Sequence, residues 1–258
     1  MIDLVIVILP AFNAESTVTP VVKGLREALP TARIIGVNDG SSDGTGALLR
    51  FLCDRTIEFS ENRGKGEALR AAFGAALETD CRAVLTIDSD GQHDPAFAPS
   101  ILAALDNYHI AIGTRDLSGE QVPRHRRVAN FLSSAATRLV SGGAVRDSQS
   151  GYRGIRREVL ESVRAKGDRY EFETDFIIRA AHAGFTITNV PISTIYGSAS
   201  YFREFRDAML VIGVLWKHRR GAFGRATKLP VGVAGTDRAN EAGSRSGEAA
   251  GGTRAGKS

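Results

Sequence analysis

The chain has 258 residues, 43% of them hydrophobic, enough for one large domain or two small ones around a sizeable core. Its formal net charge of +4 is concentrated late: from Gly221 onward there are six Lys/Arg against three Asp/Glu, so the remainder is nearly neutral, which argues against a nucleic-acid-binding surface. Its two cysteines, Cys53 and Cys81, make neither a disulfide framework nor a zinc spacing and fit a reducing cytosol.

The run from Leu4 to Leu9 is β-branched and predicts a central strand, broken at its carboxyl end by Pro10-Ala11-Phe12-Asn13; without a positive leader it does not resemble a signal peptide. A helix is expected from Glu15 to about Leu29, then a strand from Arg33 to Val37. Asn38-Asp39-Gly40-Ser41-Ser42-Asp43-Gly44 is a turn of capping and φ > 0 residues that opens a helix over Thr45 to Cys53. A short strand from Thr56 to Phe59 leads through Asn62-Arg63-Gly64-Lys65-Gly66 into an alanine-rich helix ending at Leu77. The sequence then predicts a strand over Val84 to Ile87, a helix over Pro95 to Leu105 and a strand over His109 to Ile112, ending at Gly113-Thr114-Arg115. A basic cluster, Pro123-Arg124-His125-Arg126-Arg127, precedes a helix from Val128 to Val140. Cations are unfavourable near a helix N-terminus, so the cluster reads either as a solvated helix start or as a site awaiting an anion. A polar turn over Asp147 to Gly154 runs into a short strand, a helix spans Tyr170 to His182, and strands flank Pro191 (Thr186 to Val190, Ile192 to Tyr196). Phe202, Phe205, Met209, Ile212 and Trp216 recur at helical spacing in a last helix closed by Lys217-His218-Arg219-Arg220. Beyond Lys228 the composition cannot bury enough surface to offset chain entropy and predicts disorder.

Strands alternating with helices specify an α/β fold with a doubly wound, mostly parallel sheet. Such a sheet puts the polar turns after its strands on one edge, where ligands bind. Asp39, Lys65, Asp88 and Asp90 are therefore expected to face one cleft. The central motif is Asp88-Ser89-Asp90-Gly91-Gln92-His93 at the end of a buried strand. It reads either as a polar turn or as two carboxylates sharing a hard divalent cation, since Mg²⁺ typically takes one or two carboxylates plus substrate phosphate oxygens. Gly64-Lys65-Gly66 lacks P-loop spacing and no Gly-x-Gly-x-x-Gly follows the first strand, which disfavours an NTPase and a dehydrogenase.

Six stretches in this order resemble the inverting glycosyltransferases of family 2, and most closely the dolichol-phosphate and polyprenol-phosphate mannosyltransferases and their bacterial relatives. They are residues 9–15, 37–45, 62–66, 88–93, 147–151 and 170–174, within a likeness spanning roughly Ile6 to Arg206. The resemblance implies a nucleotide-binding fold of glycosyltransferase A type over residues 1–200; the residue pattern itself gives an amphipathic helix over 201–220 and a disordered tail over 221–258. It implies a donor-nucleotide site formed by Pro10, Asn13, Glu15, Asp39, Lys65, Asp88 and Ser89. Mg²⁺ or Mn²⁺ would be held by Asp88 and Asp90, with Gln92 as a further ligand. Asn38 departs from the family's common Asp-Asp-Gly-Ser by replacing its first Asp. The donor implied is a GDP- or UDP-sugar and the acceptor a polyprenyl phosphate, with no nucleic-acid partner.

A leaving nucleoside diphosphate needs a metal or cations to meet its developing charge. A lipid-phosphate oxygen is already ionised near pH 7, the second phosphate pKa being about 6, so that acceptor needs an anion clamp rather than a strong base. Arg115 and Arg126 or Arg127 are the expected clamp. A hydroxyl acceptor would instead need a base. Glu173 and Asp175 are candidates for it, or simply helix-start caps. The last helix fits an anionic membrane surface as well as a place on the core, and its apolar run is far short of the roughly 20 residues of a span. The expected location is the cytoplasm or the cytoplasmic face of a membrane, reached through a peripheral contact or a membrane-protein partner.

Overall fold

The computed structural model describes residues 4–115, 145–147, 150–167 and 171–193. The basic cluster with Arg126 and Arg127, the helix expected over 128–140, the last helix and the tail lie outside them.

β1 (Val5–Ala11) is buried along its whole length, as a central parallel strand covered on both faces must be. α1 (Val18–Ala28) buries Val18, Val21, Val22 and Leu25, the i, i+3, i+4, i+7 stripe of a helix laid on a sheet. β2 (Arg33–Asp39), α2 (Thr45–Leu52), β3 (Arg55–Phe59), α3 (Lys65–Leu77) and β4 (Ala83–Thr86) continue the alternation. A 3₁₀ turn at Pro95–Phe97, capped by Asp94 accepting from Ala96 N at 2.9 Å, leads into α4 (Ala98–Ala104). Then follow β5 (Ile110–Arg115), β6 (Arg153–Arg156), α5 (Arg157–Ser162), α6 (Glu171–His182) and β7 (Ile187–Ile192).

The sheet runs β3-β2-β1-β4-β6-β5-β7. β6 is antiparallel to β4 and β5, and the other pairs are parallel. The order reverses between β1 and β4, which opens a crevice beyond their carboxyl ends. Because β6 is antiparallel, its first residue, Arg153, lies opposite Thr86, the last residue of β4. The loop leading into β6 therefore arrives at the same edge as the turn after β4.

Alternate residues serve opposite faces. Ile6, Ile8 and Val84 pack with Leu69, Phe73, Phe172 and Phe176, while Val7, Leu9 and Leu85 pack with Val18, Leu25, Ile101 and Leu105. The Phe73 ring lies 6.2 Å from Phe172 and 5.7 Å from Phe176, which fixes the start of α6 against α3.

Pro10 does not break β1, contrary to the sequence expectation. Ile87 N donates to Ile8 O at 3.1 Å, so Ile8 faces β4, and two residues on Pro10 faces the same side. β4 has already ended there, opposite Ile8, so the missing N–H costs no ladder bond. Pro191 likewise sits within one strand, β7, rather than between two, because β7 is outermost in the sheet. α1 starts at Val18 instead of Glu15. The six-residue α5 was not foreseen, being too short to show a period.

Candidate active site

One side of the edge is made by the turns after β1 and β2. Asn13 takes a left-handed conformation, φ 50°, which Asn tolerates better than most residues. Its N–H donates to Ser41 Oγ at 3.0 Å, and its Oδ1 accepts from Ser42 N at 2.9 Å. Ala14 N donates to Thr45 Oγ1 at 2.7 Å, and Gly44 N donates to Glu15 Oε2 at 3.0 Å. Asn38 accepts from Ser41 N at 3.0 Å through Oδ1, so the amide performs the turn-forming role an Asp would. Asp39, 4% exposed, accepts from Arg63 N at 2.7 Å and from Gly64 N at 2.9 Å. These donors precede α3, so Asp39 fastens β2 to the entry of that helix. A Cβ on Gly40, φ 68°, would strike the backbone of Glu61 and Asn62, so this close approach requires glycine.

The second cluster forms at the ends of β4, β5 and β6. Lys65, the first residue of α3, places Nζ 2.6 Å from Asp88 Oδ1 and 2.9 Å from Glu173 Oε2. Glu173, in the first turn of α6, lies 3.6 Å from Arg153 Nη1, which also donates to the Glu173 carbonyl at 3.2 Å. Arg153 Nε donates to Ser150 O at 2.7 Å, and Thr86 Oγ1 donates to Gly151 O at 2.8 Å. These bonds pin the loop before β6 against Asp88 so closely that a Cβ on Gly151 would collide with both carboxylate oxygens. Asp90 Oδ1 accepts from Gln92 N at 3.0 Å. Arg115 donates to buried Asp147 in a two-point pair, Nε to Oδ2 at 2.8 Å and Nη2 to Oδ1 at 3.1 Å. Asp88 keeps 24% of its side chain exposed, so the centre opens to solvent.

Electrostatics separate the two aspartates. Burial opposes ionisation of Asp88, but Lys65 together with His93 and Arg115 outweighs it and holds the carboxyl below its ordinary range. Burial also pulls the Lys65 ammonium down, and Asp88 with Glu173 overcomes it, so the lysine stays charged. Burial and then the charge of Asp88 push Asp90 up to about 6. Burial brings His93 down to about 4; its Nδ1 is buried without a hydrogen-bond partner among the described residues, and its ring lies 5.5 Å from that of Tyr152.

Among the described residues of this centre, four carboxylates (Asp88, Asp90, Asp147, Glu173) face three cations (Lys65, Arg115, Arg153). The surplus negative charge and the hard oxygen donors suit a divalent cation. No cluster of three or more His, Cys, Asp and Glu among the described residues is placed to hold a metal by itself. A cation at Asp88 and Asp90 would thus draw further oxygens from Gln92, water or a substrate phosphate.

Of the residues singled out in the sequence, Pro10, Asn13, Glu15 and Asp39 fall at the tips of β1 and β2. Lys65, Asp88, Asp90, Arg115 and Glu173 fall in the second cluster, with Ser89 buried between the aspartates. Asp175 stands apart: its Oδ2 accepts from Lys166 N at 2.7 Å and lies 2.5 Å from Arg179 Nε, so it ties down the loop before α6. Arg126 and Arg127 are outside the described residues. Sequence reasoning missed the parts played by Arg153, Asp147 and Gly151. Their signal was the dense polar run 147–153 leading into a short strand.

The reversal of strand order, with turns that pair a backbone cradle and an acidic centre, defines a nucleotide-binding α/β domain of the glycosyltransferase A type. The chain belongs to glycosyl transferase family 2, whose model matches residues 6–164. It is 34% identical over 203 residues to a polyprenol monophosphomannose synthase of Mycolicibacterium smegmatis, covering 73% of this chain and 76% of that one. It is 30% identical over 226 residues to a UDP-N-acetylglucosamine–dolichyl-phosphate N-acetylglucosaminyltransferase of Methanococcus voltae, covering 78% and 89%. A solved structure of Mycobacterium tuberculosis glucosyl-3-phosphoglycerate synthase with Mn²⁺, UDP and glucosyl-3-phosphoglycerate shares the fold at TM-score 0.67 and 22% identity, over 83% of this chain and 79% of that one. The protein is thus a family 2 glycosyltransferase. Among the described residues no helix is long and apolar enough to cross a membrane.

Proposed function

We propose that the chain transfers a sugar, with inversion, from a nucleotide-sugar to a polyprenyl phosphate, using a divalent cation at Asp88 and Asp90. The observation that carries this reading is the convergence of Asp88 and Asp90, Lys65 and the Arg115–Asp147 pair at one sheet edge. Relatives that act on polyprenyl and dolichyl phosphates support the acceptor class, and a neighbour of the same fold that holds Mn²⁺ with UDP supports the cation.

In this reading the turns at Asn13 and Asp39 seat the nucleotide, and Lys65 lies beside the diphosphate. Bound Mg²⁺ or Mn²⁺ would supply charge to stabilise the departing nucleoside diphosphate. Arg115, held rigid by Asp147, meets the acceptor phosphate, with Arg126 or Arg127 as a second contact. The phosphate oxygen attacks the anomeric carbon in line as the bond to the diphosphate breaks. Glu173 is engaged by Lys65 and Arg153, and Asp175 by Lys166 N and Arg179, so neither is placed as a base. That favours an acceptor bringing its own ionised oxygen over a sugar hydroxyl. The amphipathic segment 202–220 would bring the domain to the membrane that carries the lipid.

The test is a donor panel of GDP-mannose, UDP-glucose and UDP-N-acetylglucosamine offered with short polyprenyl phosphate, or with the unphosphorylated polyprenol, in Mg²⁺ or Mn²⁺. One donor should give product with the phosphate alone, and chelator, Asp88→Ala and Asp90→Ala should each abolish it. Undiminished transfer in chelator by both variants would overturn the metal role, and equal transfer to the free alcohol would overturn the phosphate acceptor.

A further inference from the structure

Lys65 stands where elementary electrostatics would not put a cation. It is the first residue of α3, where the aligned peptide dipoles repel positive charge and favour acids such as Glu67. Its side chain is 15% exposed, so it also gives up most of its hydration. Two carboxylates from distant elements repay both costs: Asp88 beyond β4 at 2.6 Å and Glu173 on α6 at 2.9 Å. The first of these is one of the two acids a divalent cation would need. The second is braced at its other oxygen and at its carbonyl by Arg153, itself buried, and so stays in place whatever Lys65 does.

We propose that Lys65 is the resident counter-cation of this centre, an ammonium that occupies Asp88 until a divalent cation arrives and then withdraws onto Glu173 and the donor diphosphate. Glu173 is the positioning residue for that exchange. The inference rests on the metal reading above and adds to it a competition. One lysine opposes the cation while the site lacks nucleotide and favours the nucleotide once the cation is present. Loading is thereby biased towards the cation and diphosphate entering together, because the diphosphate offers the displaced ammonium a further partner.

The experiment is direct binding of Mn²⁺ to the full chain without nucleotide, read by the loss of the free-ion paramagnetic resonance signal, followed by binding of GDP and UDP to the Mn²⁺-loaded chain. Lys65→Met, which keeps the stem and removes the charge, should bind Mn²⁺ about tenfold more tightly and the nucleotides more weakly. Glu173→Gln should bind Mn²⁺ less tightly than wild type, since the ammonium then has Asp88 as its remaining carboxylate of the two. Lys65→Arg, which keeps the charge, should stay near wild type for Mn²⁺. Circular dichroism establishes that each variant is folded, and Glu173→Gln alone still decides the matter if Lys65→Met is not. Wild type binding Mn²⁺ while Lys65→Met binds it equally or less tightly, or Glu173→Gln binding it more tightly, overturns the exchange and leaves the metal reading standing. No Mn²⁺ binding by wild type overturns both.

Discussion

At the tips of β1 and β2, Asp39 and Glu15 face backbone amides; at the edge beyond β4, β5 and β6, Asp88, Asp147 and Glu173 face side-chain cations. Asp39 takes two N–H groups at the entry of α3, and Glu15 takes Gly44 N. Asp88, Glu173 and Asp147 take Lys65, Arg153 and Arg115. The difference matters for a ligand. An amide is fixed in the chain and cannot leave, so the first region is a rigid cradle. A lysine or arginine head can be traded for another cation or lent to an anion, so the second region can change partners without the backbone moving. A nucleotide-sugar enzyme needs both, one to hold the base and ribose still and one to follow the charge as it shifts on to the diphosphate.

The largest expected effect lies in the charged region. Gly151→Ala would push a methyl into the Asp88 carboxylate, and the loop cannot retreat while Thr86 and Arg153 hold it. Displacing one reacting group by about 1 Å costs on the order of a hundredfold, so transfer should fall by about that factor. Because the damage acts through Asp88, adding Asp88→Ala should give the double variant no less activity than Asp88→Ala alone. Rates that multiply as for independent sites would show that Gly151 acts elsewhere.

The amide-facing region should break differently. Asp39→Ala leaves Arg63 N and Gly64 N without the carboxylate, at about 1 kcal/mol each, so unfolding in urea should show a loss of about 2 kcal/mol. Donor binding should weaken with it, because the entry of α3 carries Lys65. A variant as stable as wild type would mean that solvent satisfies these amides and that the cradle is not held by Asp39.

How far the sequence disclosed this contrast follows from the range of the forces involved. The alternation of β-branched runs with amphipathic stretches is local, and it shows the parallel sheet and the common edge of Asn13, Asp39 and Asp88. The amide bonds of the cradle join turns 24 to 31 residues apart, and Asn, Asp, Ser and Gly announce such turns by type. The charged centre is assembled otherwise. Thr86 meets Gly151 across 65 residues, because β6 inserts antiparallel between β4 and β5. Nothing in a run of four residues signals the direction of its strand, so Glu173 reads from sequence as a cap or a base. The structure shows it holding Lys65 and held by Arg153. Pro10 misled for a related reason: whether a proline ends a strand depends on where the neighbouring strand stops.

The smallest effect, per unit of pH, comes from two groups in the charged region that oppose each other. Asp90, ordinarily near 3.8, is raised to about 6 in the fold, so its contribution to stability is complete below 3.8 and is lost as pH rises through 6. His93, ordinarily near 6.5, is lowered to about 4, so its contribution is complete above 6.5 and is lost as pH falls through 4. Between pH 4 and 6 the folded chain therefore carries its proton on Asp90 and the unfolded chain carries one on His93. The counts cancel, and the pair leaves stability level across that window. His93→Gln removes one side of the balance. The folded chain then binds one more proton than the unfolded chain, and stability should fall with rising pH by roughly 1.4 kcal/mol per unit through the window. Urea midpoints at pH 4.5 and 5.5, taken in chelator for wild type and variant, measure the tilt. Asp43 does not disturb the comparison: burial opposes its ionisation, but hydrogen bonds from Thr45 and the Glu15 amide together hold it below 3.8, so its contribution is lost only as pH falls below the window. A variant as level as wild type would mean that Asp90 titrates as an ordinary carboxylate and feels neither its burial nor Asp88.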